Sequence, residues 1–134
     1  MYLLDTNACI IVLNESSLPV IARLRQHTPA DILLCSVVKS ELIYGAYHSS
    51  RTAENLRLLD SFFEPFVSLP FDDSCCQAYG RIRSDLAQIG RAIGPNDLQI
   101  AAIGVTNDLT LVTANTKEFG SVPGLSIDNW EIPL

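Results

Sequence analysis

The sequence predicts an α/β protein built on a parallel sheet, and three observations support this prediction. Five short apolar segments alternate with helical segments along the 134 residues. The apolar segments are nearly continuous, which is typical of strands buried on both faces of a parallel sheet. Only turns and short loops separate these segments, so residues 1–134 are expected to form one α/β domain.

The predicted elements follow from apolar runs, capping residues and turn signals taken in chain order. The predicted strands are Tyr2–Leu4, Ile32–Cys35, Phe66–Leu69, Thr110–Thr113 and Leu125–Ile127. Four helices are predicted near Thr6–Leu13, Pro19–Gln26, Val37–Tyr47 and Thr52–Phe63. A fifth is capped by Asp72 or Asp73 and runs to about Ile89, and a sixth starts at Asn96 or Asp97 and runs to about Thr106.

Composition and charge exclude several classes of protein. Hydrophobic residues make up 48% of the chain and charged residues 18%, so disorder is excluded. No apolar run reaches the roughly 18 residues of a membrane span, and no secretory signal is recognisable. The four cysteines form no C-x-x-C pair, so we expect a reduced, cytoplasmic protein. The net charge of −6 argues against holding nucleic acid by bulk charge, but it allows contact with phosphate through a metal ion.

Asp5 stands where the first apolar strand stops and a helix follows at once. In an open α/β sheet, ligands bind outside the carboxyl ends of the strands, which is where Asp5 is expected. The alternative is that Asp5, Thr6 or Asn7 simply caps the helix, because all three residue types favour that position.

Glu41 occupies an unusual position on the helix that follows Ser36, the expected N-cap. At 100° per residue, the apolar side chains of this helix form one arc, and Glu41 projects inside that arc. A carboxylate placed there must find a partner, because a lone buried charge costs several kcal/mol in practice. An ion pair with an arginine is the alternative to a functional role.

Asp97 follows a Gly94-Pro95 turn, where an acid is favoured as a helix cap and by the helix dipole. It shares a side of its helix with Ala101 and Gly104, and such small residues predict close packing of another element. Asp5, Glu41 and Asp97 are therefore expected to converge at one edge of the sheet. Three carboxylates without matching bases favour a bound cation, and their hard oxygen ligands indicate Mg²⁺ or Mn²⁺.

Five motifs in order along the chain resemble those of PIN-domain ribonucleases, especially the VapC-like toxins of toxin–antitoxin systems. They are Asp5-Thr6-Asn7 and the segments Glu41–Ala46, Ile93–Asp97, Leu111–Phe119 and Val122–Leu125. The resemblance implies a three-layer fold with a five-stranded parallel sheet in the order 3-2-1-4-5, flanked by helices. That order places strand 1 beside strand 4 and puts the switch point of the sheet at the proposed site.

The resemblance also implies an activity and partners. It implies Mg²⁺-dependent endonucleolytic cleavage of RNA, with transfer RNA or another structured RNA as substrate. Asp5 and Asp97 would hold the metal, and Glu41 would bind it directly or through water. Thr6 would hydrogen-bond a ligand carboxylate or a phosphate oxygen. The implied partners are a VapB-like antitoxin and a second copy of the chain in a homodimer.

One position departs from the family pattern. Many PIN domains carry an acid two residues after the threonine that ends strand 4, and here that residue is Asn115. Glu118 lies three residues further on and would share a face with Asn115 on a helical turn, so we expect it to supply the missing carboxylate. The alternative is that Glu118 is an ordinary exposed acid.

Basic residues near the acids are candidates for binding RNA. Arg81, Arg83 and Arg91 flank the long helix and the loop before Asp97, although they could also form only a solvated face. Two other functions stay open at this stage. One is a PIN-like domain that only binds RNA or a partner, and the other is a haloacid-dehalogenase-like phosphatase, which usually has an acid where this chain has Asn7.

Overall fold

The computed structural model describes residues 1–133 and contains one five-stranded parallel sheet in the order β3-β2-β1-β4-β5. Register is fixed by Cα partners such as Tyr2 with both Ile32 and Thr110. Because β1 lies between β2 and β4, the strand order switches at the carboxyl ends of β1 and β4. The strands are β1 (Tyr2–Leu4), β2 (Ile32–Cys35), β3 (Val67–Leu69), β4 (Thr110–Val112) and β5 (Ser126–Asp128).

Seven helices flank the sheet, and within residues 1–133 every one is too short or too polar to span a bilayer. A 3₁₀ turn at Pro29–Asp31 leads into β2. The helices are α1 (Thr6–Asn14), α2 (Leu18–Leu24), α3 (Ser36–Tyr47), α4 (Thr52–Phe63), α5 (Asp73–Gln88), α6 (Pro95–Thr106) and α7 (Thr116–Phe119).

All five predicted strands occur and the predicted sheet order is confirmed, with shifts at four strand ends. The third strand begins at Val67 and the fourth ends at Val112. The fifth strand begins and ends one residue later than predicted, because the parallel register pairs Thr110 with Ser126 and Val112 with Asp128. Apolar character alone does not reveal where ladder hydrogen bonds stop, so strand ends are the least predictable part of the sheet.

Two predicted helix N-caps were wrong. Cys35 rather than Ser36 precedes α3, and it makes no side-chain capping bond. Gly94 is the N-cap of α6 and Pro95 is its first residue, so neither Asn96 nor Asp97 caps this helix. Proline suits the first helical position because its fixed φ matches the helix and its missing N–H leaves no donor unsatisfied. The predicted cap of α5 at Asp72 is confirmed by a 3.1 Å hydrogen bond from the Ser74 N–H to its carboxylate.

The core surrounds the central strands and α6. Leu3, Leu4 and Leu111 are fully buried, and α6 is buried along most of its length. The prediction of close packing beside Gly104 is confirmed. A Cβ atom at Gly104 would lie 3.1 Å from Leu125 Cδ1, so only glycine fits without displacing that side chain. This packing holds α6, and with it Asp97, against the sheet.

Candidate metal centre

Asp5 lies at the carboxyl end of β1 and is only 6% exposed. Its Oδ1 accepts a 2.8 Å hydrogen bond from the Ala8 N–H, so it is the N-cap of α1. Burial raises the pKa of its carboxyl group above the ordinary value of 3.8; its hydrogen bonds oppose this rise, and the charges of Glu131 and Glu41 add to it. The capping interpretation is therefore correct for one oxygen, yet the group stays buried among other acids.

Glu41 lies in the middle of α3 and is half-buried. Its Oε1 is buried and has no hydrogen-bond partner within the part of the chain that the structure describes. The predicted alternative of an arginine ion pair is wrong, because the ion pairs within residues 1–133 are Arg23–Asp128 and Arg51–Glu54. A buried oxygen without a donor costs free energy, so Glu41 is poised for a ligand.

Asp97 lies in the first turn of α6 and is half-buried. Burial is the largest cause that raises the pKa of its carboxyl group, followed by the charges of Glu118, Glu41 and Asp5. Each of the other three acids is therefore close enough to Asp97 for its charge to act on that carboxyl group. That Asp5, Glu41 and Asp97 form one site stays a prediction. The four side chains come from the end of β1 and from α3, α6 and α7.

Glu118 lies in α7 and contacts Asn115, the residue that stands where an acid was expected. Asn115 Nδ2 donates a 2.8 Å hydrogen bond to Glu118 Oε2, so the two side chains share a face of the turn as predicted. Both residues are exposed, but Glu118 is the charge that most raises the pKa of Asp97. Glu118 is thus electrostatically part of the acid group.

Two threonines stand beside these acids. Thr6 Oγ1 is buried without a hydrogen-bond partner within residues 1–133, so it is available as a donor to a bound group. Thr113 was not among the predicted site residues; it is 1% exposed, and its hydroxyl is near enough to the Asp5 carboxyl group to lower the pKa of that group. The same hydroxyl accepts a 3.0 Å bond from the Asn115 N–H. The Thr-x-Asn sequence at the end of β4 was the available signal.

Glu131 is a second residue that sequence reasoning missed. It lies three residues beyond β5, and its charge raises the pKa of Asp5 more than that of Glu41 does. Its backbone N–H donates a 3.0 Å bond to Asn129 Oδ1, and the neighbouring Trp130 is 2% exposed. No sequence pattern pointed to Glu131, because its proximity depends on how the segment after the last strand returns to α1.

Of the three predicted arginines, Arg83 and Arg91 line grooves near the acids and Arg81 does not. Arg91 Nη1 donates a 3.3 Å bond to Ser121 Oγ and lines a groove of about 280 Å³ with Lys117 and Glu118. Arg83 bonds the Tyr79 hydroxyl at 3.3 Å and lines an adjacent groove, which shares Ile93 with the first. Arg81 is exposed and lines neither groove, since two residues along a helix correspond to about 200° of rotation.

Residues 2–125 of the chain match the PIN domain family. The chain belongs to the PIN domain family. It is 36% identical to ribonuclease VapC2 of Rickettsia felis over 137 residues, which cover 98% of each chain. It is 35% identical to the tRNA(fMet)-specific endonuclease VapC of Shigella flexneri over 129 residues, covering 96% of this chain and 97% of the relative.

Solved structures agree with this PIN domain along nearly its whole length. VapBC2 from Rickettsia felis, bound to a DNA fragment of its promoter, superposes with a TM-score of 0.88 at 35% identity, covering 96% of this chain and 98% of that one. DNA-bound VapBC from Salmonella typhimurium superposes with a TM-score of 0.89 at 32% identity, covering 96% and 97%. The PIN resemblance and the sheet order are both confirmed.

The donor set of this PIN domain fits a divalent cation in its chemistry. The unpaired Glu41 Oε1 and the mutually repelling carboxylates of Asp5 and Asp97 are hard oxygen donors that lack a compensating base. Within residues 1–133, however, no three His, Cys, Asp or Glu side chains already stand in a cluster able to coordinate an ion. A metal ion would therefore have to draw these carboxylates closer together.

Proposed function

We propose that this PIN domain is a metal-dependent endoribonuclease that acts as the toxin of a toxin–antitoxin pair, with residues 1–134 as one domain. The observation that carries the proposal is that the charges of Asp5, Glu41 and Glu118 act on Asp97, and that none of these four acids is in an ion pair within residues 1–133. Such a group disfavours RNA unless a cation offsets its charge. We infer that Mg²⁺ is the physiological ion, with Mn²⁺ as a substitute.

The chain's own residues account for the chemistry of hydrolysis. Asp5 and Asp97 would hold the cation, with Glu41 bound directly or through water. When bound, the cation lowers the pKa of a water molecule and offsets charge on the scissile phosphate. Asp97 or Glu41 would act as the general base that accepts a proton from the attacking water. Thr6 Oγ1 donates to a carboxylate or to a phosphate oxygen, and the products carry a 5′-phosphate and a 3′-hydroxyl.

Basic side chains beside the acid group supply contacts to the RNA backbone. Arg91 and Lys117 line one groove next to Glu118, and Arg83 lines the adjoining one. Each phosphate contact adds affinity that decreases with salt. Arg81 lines neither groove and is not included in this surface.

We infer that the substrate is a structured RNA, with transfer RNA as the leading candidate. This inference is supported by the name of the Shigella flexneri relative, a tRNA(fMet)-specific endonuclease. A folded RNA also offers unpaired loops, where bases are open to recognition and the backbone can enter a narrow acidic site.

A VapB-like antitoxin is the proposed partner, and an apolar groove offers it a surface. The groove measures about 450 Å³ and lies between α1, α3 and α4. Ile10 and Leu58 line it and are 40% and 57% exposed, and Glu41 stands at its edge. An amphipathic helix placed there would block the acid group. Two similar structures are VapBC complexes, and we further propose that the toxin forms a homodimer.

A second function keeps one supporting observation. Asn115 replaces an acid that many PIN domains carry, so the domain could bind RNA or a partner with little catalysis. The proximity of Glu118 to both Asn115 and Asp97 argues for cleavage instead. The haloacid-dehalogenase-like alternative is wrong, because the chain belongs to the PIN family.

Cleavage of RNA by the purified protein tests the proposal. Bulk transfer RNA is incubated with wild type, Asp5→Asn and the exposed-acid control Asp60→Asn, in Mg²⁺ and in EDTA. We expect Mg²⁺-dependent cleavage by wild type and Asp60→Asn, with 5′-phosphate ends, and none by Asp5→Asn. Cleavage that persists in EDTA, or that Asp5→Asn retains, would refute a metal-dependent mechanism. RNA binding without cleavage by wild type would favour the second function.

A further inference from the structure

A second groove meets the acid group at Glu41, on the side facing α6, and we call it the polar groove. It measures about 530 Å³, and Ser36, Ser40, Glu41, Tyr44, Asn96 and Gln99 are among its lining residues. Glu41 also lines the apolar groove between α1, α3 and α4. One carboxylate therefore stands at the junction of two grooves of different character.

The linings of the two grooves suit different ligands. The apolar groove presents Ile10, Leu13 and Leu58, which match the apolar face of a helix. The polar groove presents hydroxyl and amide groups beside the rings of Tyr44 and Phe71, and Val37 and Pro70 add apolar surface to it. This combination is typical of sites for unpaired nucleobases, which need a flat surface for stacking and polar groups for their edges.

Tyr44 is the stacking surface of the polar groove. It is 67% exposed although its neighbours on the core side of α3, Leu42 and Ala46, are buried. Its ring is stacked on that of His48, with centroids 5.6 Å apart and planes inclined by 16°. The stack limits the motion of the tyrosine ring and leaves most of its surface accessible, so a base could extend the stack.

Asn96 and Gln99 are placed to contact the edge of such a base. They flank Asp97 in the first turns of α6 and line the same groove as Tyr44. A side-chain amide both donates and accepts hydrogen bonds, so it can pair with the edge of a base and distinguish one base from another.

We propose that the polar groove binds an unpaired nucleobase next to the cleaved phosphate, with Tyr44 as the stacking surface and Gln99 as the residue that selects the base. The proposal rests on the proposed ribonuclease function and deepens it, because it assigns recognition of the RNA sequence to a surface beside the acid group. Tyr44 acts on binding and positioning of RNA and takes no part in the chemical step.

The test compares cleavage of short single-stranded RNAs that are randomised around the cut. The variants are Tyr44→Ala, Tyr44→Phe, Gln99→Ala and the control Tyr47→Ala, since Tyr47 is 64% exposed on the same helix but does not line the groove. Stacking of one base contributes about 1–3 kcal/mol by alanine substitution, so Tyr44→Ala should lower kcat/KM by about 5- to 150-fold, mainly through KM. Tyr44→Phe and Tyr47→Ala should remain close to wild type. Gln99→Ala should reduce base selection at one position.

Two further measurements distinguish stacking from other roles of Tyr44. Titration with Mn²⁺ should give the same affinity for Tyr44→Ala as for wild type, because the acids are untouched. Light scattering should give the same mass for both proteins. Equal kcat/KM for Tyr44→Ala and Tyr47→Ala would overturn the inference, as would a smaller assembly for Tyr44→Ala, which would make Tyr44 a contact between subunits. Wild type that cleaves neither these short RNAs nor bulk transfer RNA would instead remove the proposed function itself, and this inference with it.

Discussion

The side-chain amide of Asn115 donates a 2.8 Å hydrogen bond to Glu118 Oε2. Asn115 stands where many PIN domains have an acid, and it holds the carboxylate of Glu118 in place through this hydrogen bond. Glu118 is also the charge that most raises the pKa of Asp97. We therefore propose that Glu118, one helical turn further along the chain, supplies the fourth carboxylate of the acid group.

Replacing Glu118 tests whether it serves the acid group. We expect Glu118→Gln to lower the rate of RNA cleavage by about 10- to 100-fold, the effect usual for residues that support a metal site. Glu54→Gln is the matched control, because Glu54 lies on α4 in an exposed ion pair with Arg51. Rates measured across a range of Mg²⁺ concentrations should show the loss for Glu118→Gln alone. Equal rates for the two variants would make Glu118 a bystander.

Asn115→Asp tests the same part of the acid group by adding a charge instead of removing one. A carboxylate here would add charge close to Glu118 and Asp97, so we expect tighter binding of Mn²⁺ and lower stability without metal. Titration calorimetry and thermal melts in EDTA measure the two effects. A variant with unchanged Mn²⁺ affinity would show that residue 115 lies outside the reach of the ion.

The acid group should destabilise the metal-free protein as pH rises. The pKa of Asp5 is raised by burial first and by neighbouring acids second, and the pKa of Asp97 is raised in the same order. The folded state thus keeps protons that the unfolded chain has released, and the free energy of unfolding falls as pH rises above the ordinary value of 3.8. Below that value the penalty is absent.

Asp5→Asn removes this penalty while keeping the helix cap, because asparagine caps as well as aspartate. In EDTA at neutral pH we expect this variant to melt at a higher temperature than wild type, with a gap that narrows toward pH 4. Added Mn²⁺ should reverse the order, since a ligand that binds only the folded state stabilises it. If Asp5→Asn melts lower in EDTA at every pH, the residue serves as a structural cap and not as part of a strained acid group.

The close approach at Gly104 predicts opposite effects for two glycine substitutions. Gly104→Ala places a methyl group 3.1 Å from Leu125 Cδ1, so we expect a loss of about 1–3 kcal/mol in the free energy of unfolding. Gly45→Ala, within α3 and with no atom within 4 Å of the new Cβ, should gain up to about 1 kcal/mol. Urea denaturation of both variants measures the two changes. A gain in stability for Gly104→Ala would contradict the close packing of α6 against this region.

Much of the fold could be predicted from the sequence, because apolar runs and capping residues act locally. The five strands and the cap at Asp72 belong to this group. Helix starts were harder to place, since Gly94 and Pro95 compete with Asn96 and Asp97 for the same turn and the fixed φ of proline decides the outcome.

The acids of the site were predictable because each one interrupts an apolar pattern or follows a turn. Glu131 was not, because its position beside Asp5 depends on tertiary structure after the last strand. The separation of Arg81 from Arg83 could have been inferred from helical periodicity. The choice of Ser36 as the cap of α3 failed because burial of β2 continues through Cys35 and the helix begins directly after it.

Expression without an antitoxin should arrest bacterial growth, because uncontrolled cleavage of RNA stops translation. Wild type should reduce colony numbers by several orders of magnitude, and Asp97→Asn should be tolerated at the same protein level. Immunoblots of the soluble fraction check that level. Harmless accumulation of soluble wild-type protein in several hosts would contradict the assignment as a toxin.

Binding of Mn²⁺ to the purified protein tests most directly whether Asp5 and Asp97 form a metal centre, because the carboxylates must come closer to one another to hold an ion. Titration calorimetry compares wild type with Asp5→Asn, Asp97→Asn and the exposed-acid control Asp60→Asn. We expect wild type and Asp60→Asn to bind Mn²⁺ with the same affinity, and the two site variants to bind at least tenfold more weakly. Equal affinity in all four proteins would show that Asp5 and Asp97 do not form a metal centre.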